Sequence, residues 1–284
     1  NLWIGTLGGL DRLKDGKFTA FTTKEGLSDD WTRCVYEDRE GSLWVGTGEG
    51  LNRLRGGHFT HYTMRNGLGN IVFAVYGDPR GNLWCSTVWS ATEDGVLSRF
   101  KDGIFTHYGK KADESLERVT AIHEDRRGNL WIGTLGSGLK LLRDGKFTVY
   151  STKDRLPRGK ITAINDDQQG NLWIGTEEGL NKFRDGKFTT YSLKNEPFHI
   201  TSIYEERGGV IWVTTRGQGL VRFKDEELTV FTTREGMFDN VLTTVLEDGR
   251  GNFWLVSFRG IFRVRKDELD DVVQKKRSAV TSIV

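Results

Sequence analysis

The residues of this 284-residue chain that could do chemistry are few and scattered. Five histidines stand at His58, His61, His107, His123 and His199. His58 and His61 are three apart, so an extended strand puts their rings on opposite faces, which makes no metal site. One acidic turn recurs along the chain: Asp38-Arg39-Glu40-Gly41, Asp78-Pro79-Arg80-Gly81, Asp125-Arg126-Arg127-Gly128, Asp167-Gln168-Gln169-Gly170 and Asp248-Gly249-Arg250-Gly251. A calcium loop gathers several oxygen ligands. One Asp per turn, often beside a basic residue, instead suits a side chain that accepts the backbone N–H groups of its own turn, with Gly supplying positive φ. Cys34 stands where the other repeats carry Ala, Ser or Thr, and Cys85 reads as the replacement of the Gly in a recurrent WIGT phrase. Both read as buried free thiols, and two cysteines build no disulfide framework. No nucleophile elbow, phosphate loop or paired-Cys zinc motif is present. The expectation is a chain with no catalytic residues, no metal and no cofactor.

The elements that must carry these residues follow from composition and period. Lys plus Arg is 41 against 39 for Asp plus Glu, a net charge of +2. That balance argues against a nucleic-acid partner, which a basic excess would attract. No apolar run approaches a membrane span, and because the sequence starts inside a repeat no signal peptide is expected within it. With 36 Gly, 3 Pro and 9 Trp, it reads as short strands joined by tight turns. Trp3, Trp44, Trp84, Trp131, Trp173, Trp212 and Trp254 recur at intervals of 39 to 47 residues, the length of a four-stranded propeller blade. In the fourth unit Arg118–His123, Leu130–Thr134, Gly138–Leu142 and Lys146–Tyr150 read as its strands, with an Asp144-Gly145 hairpin turn. The prediction is an all-β, seven-bladed β-propeller over residues 1–284 as a single domain. The chain opens on a second strand and ends on Val280–Ile283, a first strand. The ring is therefore expected to close by the C-terminal strand joining the N-terminal blade, leaving no open edge. The seventh unit lacks the DGKFT phrase, and Asp267–Gln274 reads as a short helix with Asp267 as N-cap.

The phrases GNLWIGT-x-x-GL, a DG turn, F-T-x-Y, and GL before V-x-x-I-x-E-D resemble the two-component regulator propeller repeat, over nearly the whole chain. The resemblance implies the extracytoplasmic sensor region of bacterial histidine kinases, hybrid two-component systems or diguanylate cyclases. It implies a periplasmic location, a small-molecule or oligosaccharide ligand, and other domains of a membrane receptor chain as partners. It allows a homodimer through modules outside this chain. Direct membrane insertion is not expected.

Ligand contacts are expected where the repeat is broken. Loops from fourth to first strand and from second to third strand share one face, and variation there reads as function. Trp31 and Trp89 stand outside the Trp register and map to that face, Trp89 in an insertion of about six residues. Five first strands carry Thr at one position (Thr120, Thr162, Thr201, Thr243, Thr281), where Arg33 and Phe73 stand in two others. Trp31, Arg33, Phe73 and Trp89 therefore suggest a surface that stacks on sugars or contacts anions, and His199, near the mouth, is a further ligand contact. The alternatives are a lyase or glycan-active propeller enzyme, for which His199 and Glu117 would be the mouth residues, and a non-catalytic protein-interaction scaffold.

Overall fold

The computed structural model describes residues 1–88, 95–109, 116, 118–193 and 198–284. Within them the strands form seven antiparallel sheets, I to VII in chain order, and one α-helix, Lys266–Val273. Sheet II is typical: Thr32–Glu37, Leu43–Thr47, Gly50–Arg55 and His58–Tyr62 lie side by side in chain order. Sheets III to VI follow the same plan, starting from Ile71–Gly77, Val119–Glu124, Ile161–Asp166 and Ile200–Glu206. Sheet I (Leu2–Thr6, Gly9–Lys14, Lys17–Phe21) and sheet VII (Leu242–Glu247, Asn252–Ser257, Gly260–Arg265) have three strands each. The fold is an all-β, seven-bladed β-propeller. The chain falls into two compact units, residues 1–124 with 142–147 and residues 125–141 with 148–284.

The acidic turns hold the blades in register. Asp38 Oδ1 accepts the N–H groups of Glu40 and Ser42 at 3.0 and 2.8 Å, while Oδ2 accepts the indole N–H of Trp44 at 2.7 Å. The indole bond recurs from Trp84 to Asp78 at 3.0 Å, Trp131 to Asp125 at 2.8 Å, Trp173 to Asp167 at 2.8 Å and Trp254 to Asp248 at 3.0 Å. In sheet VI the acid is Glu206, which accepts from Trp212 at 2.8 Å. Each Asp thus bonds its own turn, as expected, and also pins the tryptophan six residues on.

The pinned indoles pack against rings of the same and the next sheet. Trp44 lies 5.7 Å from Tyr62 in its own sheet and 5.5 Å from Phe100 in sheet III. In the second unit Trp131 meets Phe183 at 5.5 Å, and Trp173 meets Phe223 at 5.0 Å. Trp44, Trp84, Trp131, Trp173 and Trp212 are buried, each contributing on the order of 3 kcal/mol by area. Gly46 permits this closeness: a Cβ there would stand 2.8 Å from Val72 Cγ1 of the next sheet and closer still to the Cys34 sulfur.

Two expectations about the chain ends are corrected. Val280–Ile283 does not join the Leu2–Thr6 strand, which among the described residues pairs with Gly9–Lys14 alone. In the second unit Ile283 instead bridges Arg263, with N–H···O distances of 2.8 and 3.0 Å, and Val280 N–H donates to Glu235 O at 2.8 Å. The reason is local supply and demand. Sheet VII lacks a DGKFT strand, so the outer edge of Gly260–Arg265 has unpaired backbone groups, and Val280 also enters the apolar cluster of Phe262 and Leu269. The helix starts at Lys266, with Arg265 as N-cap and no side-chain cap. Asp267 lies inside the first turn, pairs with Arg265 and accepts Glu268 N–H at 2.9 Å. The strand runs directly into the helix because Lys266 N–H still bonds Gly251 O at 3.0 Å, which moves the cap back to Arg265.

Two predictions follow from the indole pin. Asp167→Ala leaves the buried Trp173 indole N–H without a partner and should cost about 2 kcal/mol in urea unfolding. Burial by itself would raise Asp248, but hydrogen bonds from Asn252, Trp254 and the Arg250 backbone outweigh it and hold its pKa at about 2, below the usual carboxylate range. Its stabilising contribution is therefore present above the unfolded value and is lost as pH falls through the folded one. The stability gap between wild type and Asp248→Asn should narrow as the medium is acidified across that window, as followed by urea titrations.

Candidate functional site

The end of the sheets opposite the acidic turns is built around a recurrent bulge. Near the start of five first strands the register slips by one residue: between Thr32 and Cys34, Val72 and Ala74, Ile161 and Ala163, Ile200 and Ser202, and Leu242 and Thr244. The extra residues are Arg33, Phe73, Thr162, Thr201 and Thr243. A bulge re-aims the side chain it carries. The Thr-to-Arg and Thr-to-Phe departures thus fall on the residue that the backbone turns out of the regular pleat.

In the first unit these residues meet. The Arg33 guanidinium carbon lies 3.9 Å from the Trp31 ring centroid and 4.8 Å from that of Phe73. Arg118 covers Phe73 at 5.1 Å, giving the alternation Trp31, Arg33, Phe73, Arg118. Trp31 is 48% exposed. Burial first, and then the neighbouring Arg118, lower the Arg33 pKa, while Asp29 opposes the shift. Among the described residues neither guanidinium has an ion-pair partner, and Arg33 Nε is buried without a hydrogen bond. Such stacks contribute about 0.5–2 kcal/mol each, depending on desolvation. Chemically this surface offers an aromatic face beside two cationic forks that can take an oxyanion in bidentate fashion.

Arg118 is the member that sequence reasoning missed. Counted back from Thr120, the sequence counterpart of the bulge residues, it occupies the register of Trp31; Lys160, His199 and Val241 hold that register in sheets V to VII. An alignment on the bulge, rather than on the tryptophans, would have shown it. Trp89 and Glu117 lie outside the described residues. His199 belongs to the second unit and lines a cleft there with Lys160, Glu177 and Arg216. Burial lowers its pKa; Glu177 opposes, and Arg216 and Lys160 add to the lowering.

The remaining candidates have structural partners. His61 Nε2 lies 2.7 Å from Gly26 O, and His107 Nδ1 lies 2.9 Å from Ser98 Oγ. Cys34 and Cys85 are free thiols, and burial pushes Cys34 up to about 12 and Cys85 higher still, so neither is a nucleophile at neutral pH. The place of Cys85 is corrected by the pairing. Cys85 faces Val75 as Val45 faces Val35, so it replaces the Ile of WIGT, and Ser86 replaces the Gly. Ser86 Oγ uses that place to donate to Val119 O at 2.7 Å.

Residues 26–49, 113–136 and 155–178 match the model of the two-component regulator propeller. No protein of curated function matches the sequence. Among solved structures, virginiamycin B lyase from Staphylococcus aureus is similar at 16% identity and a TM-score of 0.73, over 91% of this chain and 88% of the lyase. PorZ, a surface component of the type-IX secretion system of Porphyromonas gingivalis, is similar at 16% identity and a TM-score of 0.68, over 89% of this chain and 42% of PorZ. The extracellular domain of a hybrid two-component system from B. thetaiotaomicron gives 22% identity and a TM-score of 0.49, over 94% of this chain and 42% of that one. The chain thus spans less than half the length of the last two. At these identities the likeness to the lyase and to PorZ shows the fold. No helix among the described residues is long and apolar enough to cross a membrane.

Because Trp31 is half exposed and makes one stack, Trp31→Ala should cost about 0.5 kcal/mol in unfolding stability. Arg33→Ala, which removes the cation between two rings, should cost about 1 kcal/mol. Urea denaturation of the two variants beside wild type measures both.

Proposed function

We propose that this chain is a ligand-sensing propeller from the extracytoplasmic part of a bacterial signal-transduction receptor. The observation that carries the reading is the two-component regulator propeller repeat, matched in three separate segments. The alternation of Trp31, Arg33, Phe73 and Arg118 supports a ligand contact at the bulged end of the first unit. Exposed rings stack on the apolar face of a sugar, and guanidiniums bind its oxygens. Trp89 is a further contact by its place in the sequence. On this reading the chain binds a small molecule or glycan fragment and does not turn it over. The periplasm is its location, and its partners are the other domains of a membrane receptor.

The test is intrinsic fluorescence against a panel of neutral and uronate-bearing oligosaccharides. At least one should change tryptophan emission in wild type. Trp31→Ala and Arg33→Ala should weaken that ligand by about tenfold, the loss of one stacking contact, with the cooperative unfolding transition retained. A panel without any response, or equal affinity in both variants, would remove the site. Chemical turnover of a panel member would favour the enzyme alternative.

A further inference from the structure

We propose that the cleft around His199 in the second unit is a binding site for a small hydroxylated carboxylate, of the sugar-acid class. The cleft encloses about 340 Å³ and is lined by Lys160, Thr162, Glu177, His199, Arg216 and Phe258, among others. That volume suits a small ligand. Lys160 and His199 lead into the first strands of sheets V and VI, while Glu177, Arg216 and Phe258 follow the second strands of sheets V, VI and VII.

The cleft is held by backbone. Arg216 N–H donates to His199 O at 2.9 Å, Arg216 also forms a bridge with Val241, and Gly217 N–H donates to Asn240 O at 3.1 Å. Its charged side chains, by contrast, are left without ion pairs among the described residues. Among the described residues Lys160, Arg216 and Glu177 make no ion pair, and the His199 ring makes no hydrogen bond. Thr162 Oγ1 is buried without a partner. Its counterparts are satisfied: Thr201 Oγ1 donates to Leu242 O at 2.7 Å, and Thr243 Oγ1 to Val256 O at 3.2 Å. Phe258 stands 76% exposed at the rim.

The chemistry of the ligand follows from this set. Two fixed cations and an imidazole face one carboxylate, so the cleft favours an anion. Arg216 offers a bidentate fork for a carboxylate. Glu177 accepts a hydroxyl, and the Thr162 hydroxyl gains the partner it lacks. Phe258 presents a ring to the C–H face of a sugar. Burial lowers the His199 pKa, and Arg216 and Lys160 add to that against the pull of Glu177. A bound carboxylate would raise it.

D-glucuronate is the probe, and D-glucose, which lacks only the carboxylate, is the control. Isothermal titration and the NMR titration of the His199 ring report binding. Glucuronate should bind, raise the His199 titration midpoint and outcompete glucose. Arg216→Gln should weaken it by about tenfold or more, as loss of a charge-assisted pair does, and Lys160→Gln serves if the first variant melts early. Trp31→Ala in the first unit should leave this binding unchanged, so failure here is separable from failure of the sensor reading. No movement of the His199 midpoint at millimolar glucuronate, equal affinity for glucose, or full affinity in both cleft variants would overturn the site.

Discussion

The hydrogen bond from six of the seven repeated indoles to the carboxylate of the preceding turn is the contact on which the rest of the molecule depends. It does two things at once. The carboxylate collects the N–H groups of a turn that would otherwise leave them unpaired, as Asp167 does for Gln169 and Asn171 at 3.0 and 2.8 Å. It also orients a large ring whose far edge must meet the aromatic side chains of its own and the following sheet. A turn, a strand register and an intersheet contact are therefore set by one acid and one indole. Sheet VI shows the requirement from the other side. Its turn has no Asp, and Glu206 supplies the oxygen instead.

That commitment divides each blade into two ends with different freedom. At the turn end of the second unit, charge is matched by charge: Arg126 reaches Glu205 and Asp166, and Lys266 joins Glu206 to Glu247. Tyr204 closes the same network on Glu247. At the bulged end the backbone is just as well paired, yet the side chains of Arg33, Lys160, Glu177 and Arg216 are left without ion-pair partners among the described residues. Unpaired charge held on a rigid frame is what a binding surface needs, because little ordering cost remains for the ligand to meet.

The links between blades show how a repeat can be strict without being rigid in sequence. Thr22, Thr63, Ser151 and Thr232 each cap a one-turn helix after a fourth strand, with Glu25, Asn66, Asp154 and Glu235 returning the bond. Leu27, Leu68, Leu156 and Met237 then bury just beyond. The capping pair keeps its geometry while the residue types change, since any short oxygen acceptor serves. The first strands that follow are thus delivered to a constant place, and the two residues around each bulge are the ones left to vary.

The sequence by itself determined the period, the strand pattern, the fold class and the residues that break the repeat. These are written in local spacing: an indole about every 42 residues, an acid six residues before it, a turn after each third strand. Trp31, Arg33 and Phe73 were visible for the same reason, as departures from a register, and His199 by its place at the start of a first strand. What tertiary structure decided was non-local. Where Val280–Ile283 pairs is set by contacts between distant segments: Ile283 bridges Arg263 at the edge of the last sheet, and Val280 enters the Phe262 and Leu269 cluster. The bulge that re-aims Arg33 and Phe73 is a slip in pairing between two strands and leaves no mark on either alone. Arg118 joined the Phe73 stack, and Lys160 the His199 cleft, only through the pairing of strands, because hydrogen-bond register, not residue type, sets which side chains share an end of a sheet.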